Sequence, residues 1–230
     1  MIRIRRSADR GHFNHGWLDT FHTFSFAEYR DRNQMGFRAL RVINEDRVQP
    51  GRGFGTHAHA DMEILTYVLS GSIAHKDSLG TGSTILPGEI QRMSAGRGIE
   101  HSEFNASDQD WLHLLQIWIL PKTKGAPPSY EQKKIHYPAE GWALLASPSG
   151  SNGSVQVGQD VLLWGIRLPA GAQATAPLAP GRYGWVQVAR GEITLEGEKL
   201  SAGDGAALES EAGPGLAALT DAEILFFDLG

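Results

Sequence analysis

Gly51-Arg-Gly-Phe-Gly-Thr-His57-Ala-His59-Ala-Asp-Met-Glu63 and, further on, Ser94-Ala-Gly-Arg-Gly-Ile-Glu-His101-Ser-Glu103-Phe-Asn105 are the segments on which the reading of this chain turns. Side chains two apart along a strand project to the same face. His57 and His59 therefore point together, and so do His101 and Glu103. If both segments are strands of one β-barrel, the two pairs converge on a point inside it. Three imidazoles and a carboxylate suit a first-row divalent metal. The same alternation puts Glu63 on the face of His57 and His59, where it competes with Glu103 for the carboxylate position.

The flanking sequence keeps the rhythm of short strands and turns. Met62 to Leu69 is rich in β-branched and aromatic residues and stops at Ser70-Gly71, as a strand would. Ser72–His75, Ser83–Leu86, Ile90–Met93 and His101–Asn105 follow, divided by Gly or Pro-Gly, and Leu112–Leu120 is a long apolar strand ending at Pro121. Upstream, Phe21–Phe26 and Phe37–Asn44 are expected as strands, Asp31–Gly36 as a loop and Glu45–Gly55 as a connection. Lys122–Pro138, with Pro127-Pro128 and the polar run Tyr130–Lys134, is expected as an exposed connection with a short helix. Ser147–Ser154 is Ser/Gly-rich and is expected as a flexible loop. Strands resume at Val161–Leu168, Tyr183–Ala189, Glu192–Leu195, Gly205–Leu208, Leu216–Leu219 and Glu223–Leu229.

The second half repeats a piece of the first. Tyr67-Val-Leu-Ser-Gly71-Ser-Ile parallels Val186-Gln-Val-Ala-Arg-Gly191-Glu-Ile, a duplication with a period of roughly 115–120 residues. The expected architecture is all-β, with two barrels and few short helices. Residues 1–125 would form a metal-binding barrel, 126–154 a connection and 155–230 a second barrel. All nine His lie at or before His136, so the second barrel lacks the donors of the first and is expected to be metal-free.

Composition removes several function classes. The 28 Gly among 230 residues, against roughly 7% in average chains, fit a turn-rich β plan. A net charge of −5 gives no reason to expect direct nucleic-acid binding. No apolar run reaches the ~20 residues of a membrane helix. Met1-Ile-Arg-Ile-Arg-Arg6 has no signal-peptide core, so a cytoplasmic location is expected, with a monomer as the default. Without Cys there is no disulfide framework, thiolate site or cysteine nucleophile. There is no Gly-Lys-Ser/Thr phosphate loop and no Gly-x-Ser-x-Gly elbow. Gly51-x-Gly53-x-Gly55 precedes a strand, unlike a nucleotide fingerprint. Among the other histidines, His113 in Trp111-Leu-His-Leu-Leu reads as a core-edge imidazole with a hydrogen-bond partner. His75 begins a turn, and His12, His15, His22 and His136 have no partner at ligand spacing.

These segments resemble the cupin superfamily, and within it the pirin family of bicupins. Gly51, His57, His59 and Glu63 match the first cupin motif, Gly-x5-His-x-His-x3-Glu, and Gly88, Gly96, His101 and Asn105 match the second more loosely, with Ser94 where Pro is usual. Gly16-Trp-Leu, His22-Thr-Phe-Ser-Phe26, Asp77-Ser-Leu-Gly80 and the run Met93 to Glu103 resemble pirins specifically. The resemblance implies one metal, usually iron, held by His57, His59, His101 and Glu103, which favours Glu103 over Glu63; copper, nickel, cobalt, manganese and zinc suit the same donors. It also implies a quercetin 2,3-dioxygenase-like reaction, in which a flavonol's central ring is cleaved by O2 with release of carbon monoxide. Glu103 would be the catalytic group that takes the proton of the flavonol 3-hydroxyl. Phe24, Phe54, Met93 and Ile99 are candidate walls against water. The alternative is a non-catalytic pirin that uses its metal in a redox-sensitive surface for a protein partner. An open cavity above His57 would favour the enzyme, and a closed one with an exposed apolar patch the alternative.

Overall fold

A computed structural model describes residues 1–209 and 213–230. The N-terminal half contributes β1 (Ile2–Arg5), β2 (Gly11–Asn14), β3 (Leu18–His22), β4 (Leu40–Val48), β5 (Gly53–His59), β6 (Glu63–Ser70), β7 (Ile73–Asp77), β8 (Gly82–Ile85), β9 (Glu89–Ser94), β10 (Ile99–Asn105) and β11 (Leu112–Ile119). The remainder holds β12 (Ser129–Lys134), β13 (Ala143–Ser147), β14 (Val155–Gln156), β15 (Val161–Leu168), β16 (Gln173–Thr175), β17 (Tyr183–Arg190), β18 (Glu192–Leu195), β19 (Glu198–Ser201), β20 (Gly205–Glu209), β21 (Gly215–Ala218) and β22 (Ala222–Leu229). Two 3₁₀ turns, Ser7–Asp9 and Ser151–Gly153, are the helical elements among the described residues.

Each barrel is a seven-stranded sheet closed by a four-stranded one. The first pairs β12-β9-β6-β11-β4-β3-β2 with β5-β10-β7-β8, and the second pairs β1-β20-β17-β22-β15-β13-β14 with β16-β21-β18-β19. Strand alternation explains how they join. Leu65, Tyr67 and Leu69 of β6 and Leu115, Ile117 and Ile119 of β11 share one buried cluster with Val161, Leu163, Trp185, Leu225, Phe227 and Leu229 of the second barrel. The intervening residues point into their own barrels: Val68, Leu112 and Leu114 in one, and Ile166, Val186, Val188, Ile224 and Phe226 in the other. Each strand is thus buried on both faces, which is why these runs read as almost continuously apolar. Burying one such side chain contributes about 1.5–3 kcal/mol.

The sequence repeat is structural. Gly71 and Gly191 both adopt positive φ, +78° and +76°, and both are closely approached by the start of the neighbouring strand in the sheet, β11 and β22. A Cβ at Gly71 would lie 2.9 Å from Leu112 Cα, and one at Gly191 2.9 Å from Ala222 Cα. The hairpin turn and the close crossing each demand glycine.

Several local expectations are corrected. Glu45–Gly55 is mostly strand, because β4 runs on to Val48; its acidic residues are buried but paired, Glu45 with Arg10 and Asp46 with Thr20. Phe21–Phe26 leaves the strand after His22, and Phe24 packs against Trp185 at 4.9 Å in the shared core. Lys122–Pro138 contains no helix. It holds β12, which pairs antiparallel with β9 from Ser129↔Ser94 to Lys134↔Glu89. Its polar composition is that of a sheet edge, where charge blocks further pairing, and Arg92 fastens it by donating to Ser129 and Glu131. Between residues 126 and 154, β12 therefore belongs to the first barrel and β13 to the second, and β1 crosses to pair with β20. Ser147–Ser154 is a compact turn in which Ser147 Oγ meets Ser154 Oγ at 2.8 Å.

Candidate metal centre

The four-stranded sheet of the first barrel sets the centre. In the ladders His57 faces His101 and His59 faces Ile99, while His101 faces Asp77 and Glu103 faces His75. The alternation that aims His101 and Glu103 inward therefore brings His75 and Asp77 inward beside them. Between His101 and Glu103 the partner on β5 jumps from His57 to Phe54. This bulge lets β5 bend over the barrel. Gly53 makes it feasible, because a Cβ there would meet Glu103 O at 2.2 Å and Phe104 Cα at 2.5 Å.

His57, His59 and His101 each offer a ring nitrogen within 4.8 Å of the other two. Their ring centroids are 4.7, 4.5 and 4.9 Å apart. His57 Nδ1 lies 2.7 Å from Gly55 O, and a carbonyl only accepts, so Nδ1 carries the proton and Nε2 offers a lone pair. Ligand histidines are commonly oriented by such a backbone bond. Desolvation by burial lowers the His59 pKa to about 4, helped by His57. Desolvation likewise takes His101 to about 3, with His57, His59 and His75 adding to it. Both imidazoles are neutral at neutral pH, as coordination requires.

Glu103 sits one step deeper, 2% exposed. One carboxyl oxygen accepts from Gln116 Nε2 at 2.8 Å, the other from Thr66 Oγ1 at 3.5 Å. Burial raises its pKa to about 7; Asp46 adds to the rise and the bonds from Gln116 and Thr66 oppose it. Burial also raises Asp46 to about 7. Glu103 groups within 4.8 Å with His101 and His75. A polar belt thus crosses the barrel between two apolar ends, Leu18/Val48/Ile73/Leu112 and Ile64/Met93/Ala95/Ile99.

The second barrel repeats the positions with different chemistry. Aligned through Gly71 and Gly191, Thr66 corresponds to Val186, and the ladder partners Gln116 and Asn44 correspond to Phe226 and Trp164. His75 and Glu103 correspond to Leu195 and Leu216. Where one interior offers donors, the other offers hydrocarbon.

The structure thus gathers three of the four sequence-derived ligands and places Glu103 against one of them. Glu63 is excluded from the competition. Asp61 has a positive φ of 51°, which breaks the alternation, and Glu63 begins β6 in the other sheet, where it accepts from Ser94 Oγ at 2.6 Å. Met93 and Ile99 lie with Trp118 at the end of the barrel beside His59, whereas Phe54 packs on Trp17 and Phe24 lies between the barrels. Sequence reading missed His75 and Trp118. The spacing His75-x-Asp77 was the available signal for the first, and Trp118, whose ring is 4.9 Å from His59, carried none. His113 behaves as read, with Nε2 2.9 Å from Glu45 Oε1. A shallow cleft of about 400 Å³ touches His59, but its lining includes Ala58 and Glu100, which alternate to the face of β5 and β10 opposite His57 and His101.

Neutral imidazoles, a carboxyl group and the buried, partnerless Nδ1 atoms of His75 and His101 fit a divalent transition cation. The comparisons agree. Residues 2–119 match the pirin family model, and residues 144–229 match the model described as quercetinase C-terminal cupin domain. The chain is 49% identical to quercetin 2,3-dioxygenase of Escherichia coli K12, covering 100% of this chain and 99% of that protein. It is 39% identical to a pirin-like protein of Caulobacter vibrioides, over 95% of each. The crystal structure of the E. coli bacterial pirin YhhW in complex with nickel(II) superposes with a TM-score of 0.95 at 49% identity, covering 100% of this chain and 99% of that one. With a double-barrel fold, an imidazole cluster inside the first barrel and matches along its whole length, the chain belongs to the pirin family of the cupins.

Proposed function

We propose that this protein is a metal-dependent dioxygenase of the quercetin 2,3-dioxygenase type, acting on a flavonol and O2. The observation that carries the reading is the convergence of His57, His59 and His101 inside the first barrel, with the Glu103 carboxyl beside His101. His57, His59, His101 and Glu103 would hold one divalent ion. When bound, the ion supplies Lewis acidity and a route for electron density between substrate and O2.

The chain's own groups do the rest. Glu103 takes the proton of the flavonol 3-hydroxyl, and a carboxyl poised near neutral pH suits that exchange. Gln116 and Thr66 fix its orientation. Trp118, Ile99 and Met93 form the apolar wall that keeps water from the reacting ring. In the balanced reaction both atoms of O2 enter the organic product, a depside, and one ring carbon leaves as carbon monoxide.

The test is anaerobic reconstitution with Fe(II), Ni(II), Co(II), Mn(II) or Cu(II), then addition of quercetin and O2 while flavonol absorbance is followed. Metal-dependent turnover that falls by orders of magnitude in His101→Ala and Glu103→Gln is expected. Stoichiometric metal binding without turnover for every metal would overturn the reading and favour a pirin that binds a protein partner.

A further inference from the structure

The repeat that relates the two barrels also shows where their walls differ. In the first barrel β3 lies along β4 to its end, with Thr20 opposite Asp46, Asp19 opposite Arg47 and Leu18 opposite Val48. Aligned through Gly71 and Gly191, those β4 residues correspond to Ile166, Arg167 and Leu168 of β15. β13 takes the place of β3 but begins at Ala143, opposite Gly165. Just before it Gly141, at a φ of +90°, turns the chain away from the ladder. Among the described residues no strand pairs with Ile166–Leu168 on that side, while β22 pairs with them on the other.

Where β3 fills the first barrel's wall, the second has a cavity. It measures about 780 Å³ and lies between Ile166–Leu168 and the β16 residues Gln173–Thr175. β16 is the outermost strand of its own sheet, so the cavity separates two strand edges, and such edges are templates for a further strand. The three uncovered residues of β15 span about 10 Å. Inward, the lining is apolar: Ile166, Leu168, Trp142 and Ala174 pack in the second-barrel core. Outward stands Arg167, whose side chain is 52% exposed. Its Nε and Nη2 donate to Glu223, leaving Nη1 unpaired among the described residues. Glu223 is shared with Arg190 and also accepts from Tyr67, so two guanidinium groups meet one carboxylate. The lining's one carboxylate, Glu140, lies on the exposed chain leading to β13. In the first barrel an acid, Asp19, stands opposite the corresponding Arg47, the arrangement that favours cross-strand pairing.

We propose that this cavity is a strand-addition site for an extended segment of a partner protein, with an acidic residue between two apolar ones. The segment runs antiparallel to β15 over Ile166–Leu168, as Leu18-Asp19-Thr20 runs along β4. Main-chain hydrogen bonds hold it, and alternation sorts its side chains. The apolar ones turn inward onto Leu168, Trp142 and Ala174, and the acid turns outward to Arg167. The site uses none of the residues of the metal centre, so it stands whether or not the dioxygenase reading does.

The probe is a fluorescent synthetic peptide copying Gly16–His22, the segment that fills the equivalent place in the first barrel. Titrated with the full-length protein, it should show one saturable site by anisotropy. The peptide carrying Asp19→Lys should bind about tenfold or more weakly. Arg167→Glu protein should reverse the preference and favour the lysine peptide, a result that loss of folding would not produce. A peptide N-methylated on the residues that donate to β15 should lose binding, and amide exchange should slow at Ile166–Leu168. No saturation, equal affinity for the two peptides, indifference to N-methylation, or protection confined to Asp46–Val48 would overturn the inference. So would a dimer in sedimentation that Arg167→Glu dissolves, because the cavity would then be filled by a second copy of this chain.

Discussion

At the scale of single residues, the centre depends as much on where side chains are missing as on the ligands. Gly53 lies where β5 crosses β10, with backbone atoms of Glu103 and Phe104 inside the space a Cβ would fill, whereas Gly55 has nothing within 4 Å of that position. Gly53→Ala must therefore push the strands apart beside Glu103. Overpacking of this kind costs about 1–3 kcal/mol, enough to lower Tm by several degrees in a chain of this size. Metal affinity should fall with it, because the bulge sets the spacing of His57 and Glu103. Gly55→Ala should leave both nearly unchanged. Differential scanning calorimetry and Co(II) titration of the two variants decide it, and equal behaviour would show that the crossing is not under steric control.

Individual strands show what was legible in the sequence and why the rest was not. The His-x-His and His-x-Glu pairs were readable because strand alternation is local. Glu63 was misplaced by the same rule, since a single positive-φ residue, Asp61, ends one strand and starts another in a different sheet. β12 was hidden because edge strands are polar, and the buried end of β4 because Glu45 and Asp46 look like loop residues until their partners are known. Glu45 also gives β4 a pH signature. Desolvation pushes its carboxyl up, but His113 and Arg10 outweigh that and lower the pKa from 4.5 to about 2. The unfolded chain then binds more protons between these values. The stabilisation is complete above about pH 4.5 and is lost as pH falls towards 2, on the order of 3 kcal/mol in all. Urea unfolding of wild type and Glu45→Gln should show a stability gap that is full above about pH 4.5 and narrows as pH falls towards 2. A gap that stays constant down to pH 3 would remove Glu45 from the account.

Across the whole molecule, the division of labour between the barrels follows from what each has in its interior. The second barrel fills with Val186, Ile166, Leu195, Leu216 and Phe226 where the first carries Thr66, Asp46, His75, Glu103 and Gln116. A barrel with a polar belt has less apolar area to hold it together, and the first barrel recovers it through the shared core and the strand exchange. Phe227 and Trp185 pack against strands of both halves, β1 is a strand of the second barrel, and Tyr67 of the first donates to the buried Glu223 of the second. The two barrels should accordingly unfold together. Phe227→Ala removes a fully buried ring and should cost about 3–5 kcal/mol. In calorimetry of the metal-free protein, wild type and variant should each show one transition, with the variant's shifted down as a whole. Loss of far-ultraviolet β signal and quenching of tryptophan on both sides, Trp118 in the first barrel and Trp164 in the second, should coincide. Two resolved transitions, with only the later half moved by Phe227→Ala, would mean that the barrels are energetically independent. The polar interior would then have to be stable on its own.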